Sequence, residues 1–116
     1  ERELCEARTA LARATLAVTG PSKAAIHHLT RTFASHLADR NITANAIAPG
    51  PFPSQMTAGV AKAMGDEITK NVPLKRWGES ADMAGAAIYL ASKAGAYVSG
   101  AVIPVDGGIV ASARTL

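Results

Sequence analysis

The residues best suited to chemistry lie in one stretch, residues 20–52, which reads GPSKAAIHHLTRTFASHLADRNITANAIAPGPF. Lys23 stands at the start of an amphipathic helical pattern, and Pro49-Gly50-Pro51-Phe52-Pro53-Ser54 makes a rigid turn where a short apolar run ends. An ammonium group donates three hydrogen bonds and stabilises a nearby anion. A turn rich in proline and glycine brings backbone groups close to a ligand. In an open α/β sheet, ligands bind outside the carboxyl ends of parallel strands. A lysine on the preceding helix and a turn at the strand exit suit one such crevice. The three histidines do not suit a metal: His27 and His28 point about 100° apart on a helix, and His36 lies at a further angle.

The elements that must position these residues follow from hydrophobic spacing. Residues 1–18 are rich in Ala, Arg, Leu and Glu, with Leu4, Ala7, Leu11, Ala14 and Val18 at helical intervals, so a helix is expected there. That segment carries no chemical motif. Gly20-Pro21 reads as a break or a helix start, with Thr19 as its N-cap. From Ser22 the apolar residues Ile26, Leu29, Phe33 and Leu37 define one face of a helix to about Asp39, which Asn41 ends. Residues 42–48 read as a buried strand. Residues 55–64 have helical character, Gly65-Asp66 interrupts them, and residues 68–72 give one more turn. Residues 73–78 form an irregular connector in which Trp77 is a packing anchor. Ser80 is the expected N-cap of a helix that carries Asp82 in its first turn and ends before Gly95. Residues 101–105 form the second strand, closed by the turn Asp106-Gly107-Gly108 and followed by a tail.

Helix, strand, helices, strand is an alternating α/β order, and a helical crossover makes the two strands parallel. Two strands are too few for a doubly wound sheet. The chain therefore reads as a partial Rossmann-like domain, the C-terminal half of one, with two parallel strands and flanking helices.

Composition narrows the classes. Apolar residues make up 48% of the 116, enough for a core, but aromatics only 4%. The net charge is +3, and the twelve Lys and Arg residues are spread along the chain. Without a basic cluster or aromatic platforms, no nucleic-acid partner is expected. No apolar run approaches the roughly 20 residues of a membrane span. The lone Cys5 fits a reducing compartment, so a cytoplasmic protein is expected.

Four motifs carry a resemblance. Gly20-Pro21-Ser22-Lys23-Ala24-Ala25, then NITANAIAPG (41–50), then Pro73-Leu74-Lys75-Arg76-Trp77-Gly78, then VSGAVIPVDGG (98–108) resemble the short-chain dehydrogenase/reductase family in content, order and separation. The resemblance covers about residues 20–110 and points to the branch that binds NAD or NADP. It implies reduction of a small-molecule carbonyl or oxidation of an alcohol. It implies Lys23 as the lysine that holds the cofactor ribose and lowers the pKa of a catalytic tyrosine four residues earlier. It also implies that Pro49, Gly50 and Phe52, with the Ser54 hydroxyl, contact the nicotinamide. Homo-oligomers through the helix of residues 22–39 and the last strand are implied as well.

The sequence departs from the family pattern at one decisive place. Thr19, not tyrosine, stands four residues before Lys23. A threonine hydroxyl ionises far above the ~10 of a phenol. The glycine-rich phosphate-binding turn of the family is not found in these residues. The division expected is a non-family helical segment over 1–18, arising by truncation, altered splicing or a frame shift, and a C-terminal half-domain over 19–116. The function expected is a truncated, impaired oxidoreductase. The alternative is a catalytically silent fragment acting only through oligomerisation.

Overall fold

The first helix is far longer than its sequence pattern predicts. In the computed structural model, which describes residues 2–112 and the side chains of residues 20–112, α1 runs without interruption over Arg2–Leu37. Pro21 lies inside it, so Gly20-Pro21 is neither a break nor a helix start, and Thr19 is an interior residue rather than an N-cap. A proline there has no N–H for the carbonyl four residues earlier and crowds it with its ring. The side chain of Thr19, like that of Cys5, lies outside the described residues.

The end of α1 matches its sequence signals. After Leu37 the chain tightens into a 3₁₀ turn, Ala38–Arg40, and Asn41 adopts the left-handed conformation (φ 56°, ψ 34°) with its N–H on the Ala38 carbonyl at 2.9 Å. Inside the helix the Thr30 hydroxyl, buried, donates to the Ile26 carbonyl at 2.8 Å.

Strand β1, Ala46–Pro49, starts four residues later than the apolar run suggests. Residues 44 and 45 are tied by other means. The Asn45 side chain donates to the Val98 carbonyl at 2.8 Å and accepts from the Ala101 amide at 3.0 Å. The Ala44 carbonyl accepts from Gly100 at 2.7 Å. Strand β2, Val102–Val105, pairs with β1 in parallel, with Ala46 opposite Val102 and Pro49 opposite Val105. Pro104 brings no amide to β2, which a strand with a free edge tolerates.

Between the strands come two helices. Helix α2, Ala58–Asn71, joins the two helical pieces expected separately, and the interruption survives as a kink at Met64 (φ −138°, ψ 16°). Helix α3, Ser80–Ala91, is capped by Glu79 rather than by Ser80, because the Asp82 carboxylate reaches back to the Glu79 amide at 2.8 Å. A 3₁₀ turn, Lys93–Gly95, follows α3, and a short α4, Ile109–Ser112, follows β2 where a tail was expected. Helix α3 packs on both strands. Among the described residues the most deeply buried apolar side chain is Val72, 1% exposed, at the end of α2. It lies beneath the turn after β2, where a Cβ on Gly107 would come within 2.6 Å of Val72 Cγ1. The packing centre therefore sits at the carboxyl ends of the strands.

Candidate functional site

Both strands end at the same level, and the chain leaving each is fixed there by close backbone packing. The Gly50 amide donates to the Val105 carbonyl at 3.0 Å. Gly50 lies so near Asp106 that a Cβ would stand 2.6 Å from its Cα. Beyond β2, Gly107 (φ 65°) and Gly108 (φ 92°) both take left-handed conformations that side-chain-bearing residues rarely adopt. The Gly107 carbonyl accepts from the Leu74 amide at 3.1 Å, which ties this turn to the 73–78 connector.

The connector closes the other side. Gly78 donates to the Pro51 carbonyl at 2.9 Å and lies flat against the Phe52 ring, where a Cβ would come within 2.3 Å of Cζ. Arg76 grips Asp82 through its two terminal guanidinium nitrogens, Nη1 and Nη2, at 2.7 and 2.8 Å, and Nη1 also donates to the Trp77 carbonyl at 3.0 Å. The Arg76 contact, then the Glu79 amide, holds the Asp82 carboxyl below the usual carboxylate range, and Asp82 in turn raises Arg76. A cleft of about 260 Å³ results, walled by Phe52, Leu74, Arg76, Asp82 and the 104–108 turn.

The expected site residues divide in two. Gly50 and Phe52 meet at the strand ends, with Phe52 lining the cleft. Pro49 ends β1 and is exposed. Ser54 is engaged locally: its amide donates to Thr57 Oγ1 at 2.7 Å, its hydroxyl accepts from the Thr57 amide at 3.1 Å, and Thr57 Oγ1 donates to the Phe52 carbonyl at 2.9 Å. Lys23 is exposed on α1 and does not line the cleft. The helix meets the strands' opposite end, where Gly100 packs against Ala34 and Arg31, and Lys23 lies eight residues, about 12 Å along the axis, before Arg31. Arg76, Asp82 and Asp106 were not foreseen as cleft residues. The sequence signal for Arg76 and Asp82 is the pairing of opposite charges six residues apart at a helix start, and Asp106 reads only as a turn residue.

The cleft suits part of a nicotinamide dinucleotide. It offers an apolar wall (Pro51, Phe52, Leu74) beside backbone polar groups, but it is smaller than the ~300–1,000 Å³ usual for a whole ligand of that size. The described residues offer no cradle for the pyrophosphate. The one glycine-rich turn between a strand and a helix is filled by its own acid. Asp106 accepts from the Val110 amide at 2.8 Å and the Gly108 amide at 2.9 Å, and these bonds, the Val110 one first, hold its carboxyl below the ordinary range. No three His, Cys, Asp or Glu side chains gather to hold a metal among the described residues. No described helix is long and apolar enough to cross a membrane.

Two parallel strands with flanking helices and a crevice at their carboxyl ends define a piece of an open, doubly wound α/β domain. A family model described as enoyl-(acyl carrier protein) reductase matches residues 6–110, and the chain belongs to the short-chain dehydrogenase/reductase family. It is 49% identical over 92 residues to the rhamnolipids biosynthesis 3-oxoacyl-(acyl-carrier-protein) reductase of Pseudomonas aeruginosa, covering 77% of this chain and 36% of that one. It is 38% identical over 109 residues to the 5-keto-D-gluconate 5-reductase of Escherichia coli K12, covering 92% of this chain and 43% of that one. Among solved structures, the Pseudomonas aeruginosa RhlG/NADP active-site complex superposes with a TM-score of 0.72 at 48% identity, over 78% of this chain and 37% of that one. The chain thus spans between 36% and 43% of the length of these relatives.

Proposed function

We propose that this chain supplies the nicotinamide side of an NAD(P)-dependent oxidoreductase site acting on a small-molecule carbonyl or alcohol, and that it corresponds to the C-terminal half of such a domain. The observation that carries this reading is the cleft at the carboxyl ends of β1 and β2 in a chain 48% identical to one solved with NADP. Lys23 holds the ribose hydroxyls as a hydrogen-bond donor. Pro49, Gly50 and Phe52, through their backbone, and Ser54 hold and orient the ring. When bound, the nicotinamide supplies or accepts the hydride. The Phe52 ring and Leu74 keep water from that face.

Proton exchange is where this chain is impaired. Thr19 stands where the family has its tyrosine, and its hydroxyl cannot give or take a proton near neutrality as a phenolate of lowered pKa can. Binding without turnover is the expected behaviour. A fluorescence titration with NADPH, run beside an absorbance assay with a carbonyl substrate, tests it. Weak binding that disappears in Lys23→Ala, with no turnover, is the expected result. Absence of binding at millimolar cofactor, or binding that Lys23→Ala leaves unchanged, overturns the cofactor role, and turnover overturns the impairment.

A second reading is favoured by α1, where Ile26, Leu29 and Phe33, all on one face, are each about half exposed. In that reading the chain is a silent member that acts by homo-oligomerisation through α1 and the last strand.

A further inference from the structure

The cleft is fixed by a bonded relay that starts from two residues of its own wall, Asp82 and Arg76. It begins at the N-terminus of α3, where Asp82 accepts from the Glu79 amide and from Nη1 and Nη2 of Arg76. Arg76 passes the constraint to the next residue by donating to the Trp77 carbonyl. Trp77 is itself anchored on the far side, its indole N–H donating to the Gly65 carbonyl at 3.4 Å, just past the kink of α2. The following residue, Gly78, is then held with its amide on the Pro51 carbonyl and its Cα against the Phe52 ring. No other residue type fits between that ring and the connector unless the ring moves.

We infer that Arg76 and Asp82 are positioning residues: their ion pair holds Gly78 against the Pro51-Phe52 corner and so fixes the wall on which the nicotinamide rests. The second half of that statement rests on the cofactor reading above, and the first half does not. An exposed ion pair contributes little to stability as such. Its bidentate geometry instead sets the direction of the connector, because a planar guanidinium with both terminal nitrogens engaged leaves Arg76 little freedom to turn. Asp82 does double duty, so the start of α3 and the cleft wall share one carboxylate.

The test is amide hydrogen exchange on the full chain, comparing Gly78, whose amide closes the corner, with Ala46, whose amide bonds the Ala101 carbonyl at the opposite end of the sheet. In Asp82→Asn, Gly78 exchange rises about tenfold or more while Ala46 stays within about twofold. Arg76→Lys keeps the charge but loses the fork, and shows the same selective rise. It also serves if the first variant does not fold. Exchange that rises equally at both amides, or at neither, overturns the inference, the former because the pair then only supports the whole fold. NADPH titration of the same proteins separates the two layers. If the unaltered chain binds no NADPH, the cofactor reading fails and the exchange result stands alone. If it binds, and a selective rise at Gly78 leaves affinity unchanged, the positioning role is overturned.

Discussion

Asp82 accepts three hydrogen bonds and Asp106 two, yet neither is deeply buried, so each is a carboxylate tied into local structure while facing solvent. Both are held below their ordinary value, Asp82 first by Arg76 and Asp106 first by the Val110 amide. A carboxyl depressed in the folded state contributes stability that is complete above its unfolded value, ~3.9, and is lost as pH falls through the folded one. Urea midpoints are therefore expected to fall as pH drops below about 4, and Asp106→Asn, which has no such proton to gain, should show a shallower decline. Parallel declines in the two proteins would mean that the Asp106 turn does not couple to folding. Asn45 is a residue of another kind, since its side chain ties the start of β1 to residues 98–101. Asn45→Ala removes two hydrogen bonds and should cost about 1–3 kcal/mol in equilibrium unfolding.

At the scale of elements, α1 carries the largest departure from expectation. Pro21 and Gly20 together look like a boundary, yet the helix passes through them, and its first turns fall where Ala, Arg, Leu and Glu favour helix strongly enough to offset one proline. Pro21→Ala should stabilise this part of α1, by up to about 3 kcal/mol locally, seen as higher far-ultraviolet ellipticity and a later loss of helix on heating. No gain in ellipticity would show that the helix does not run through this point in solution. The rest of the fold was legible where one element carried its own signal. The spacing of Ile26, Leu29, Phe33 and Leu37 gave the second half of α1, Asn41 its end, and Asp106-Gly107-Gly108 the turn that closes β2. What could not be read were features made by two elements meeting. Nothing in the sequence says that Asp82 would choose Glu79 over Ser80 as the cap, that Arg76 would reach across a connector to it, or that β1 would begin only after Asn45 had clamped residues 98–101. Of the candidate site, Gly50 and Phe52 were legible as a strand exit, and Arg76 and Asp106 were not, because each reads as an ordinary turn or connector residue until the strands are placed side by side.

At the scale of the whole molecule, the described residues bury little. Val72 is nearly sealed, while the apolar face of α1 stays open, with Ile26, Leu29 and Phe33 between 47% and 52% exposed. The radius of gyration is 17.2 Å and the longest extent 58 Å, against about 13 Å expected for the radius of a compact chain near this length. The long extent comes from α1, since 36 helical residues span about 54 Å. An apolar helical face of this kind in water favours association, each of these half-exposed side chains gaining about 1 kcal/mol when fully covered. The chain is therefore expected to self-associate with α1 against α1, and Phe33→Glu should break that contact by placing a carboxylate in its centre, where burial without a partner is costly. Sedimentation velocity over a range of concentrations measures it: the unaltered chain should sediment as a dimer or larger, and Phe33→Glu as a monomer with the same helical ellipticity. A chain that stays monomeric at every concentration, or a Phe33→Glu variant that associates as before, would place the contact elsewhere and leave the exposed face of α1 without this role.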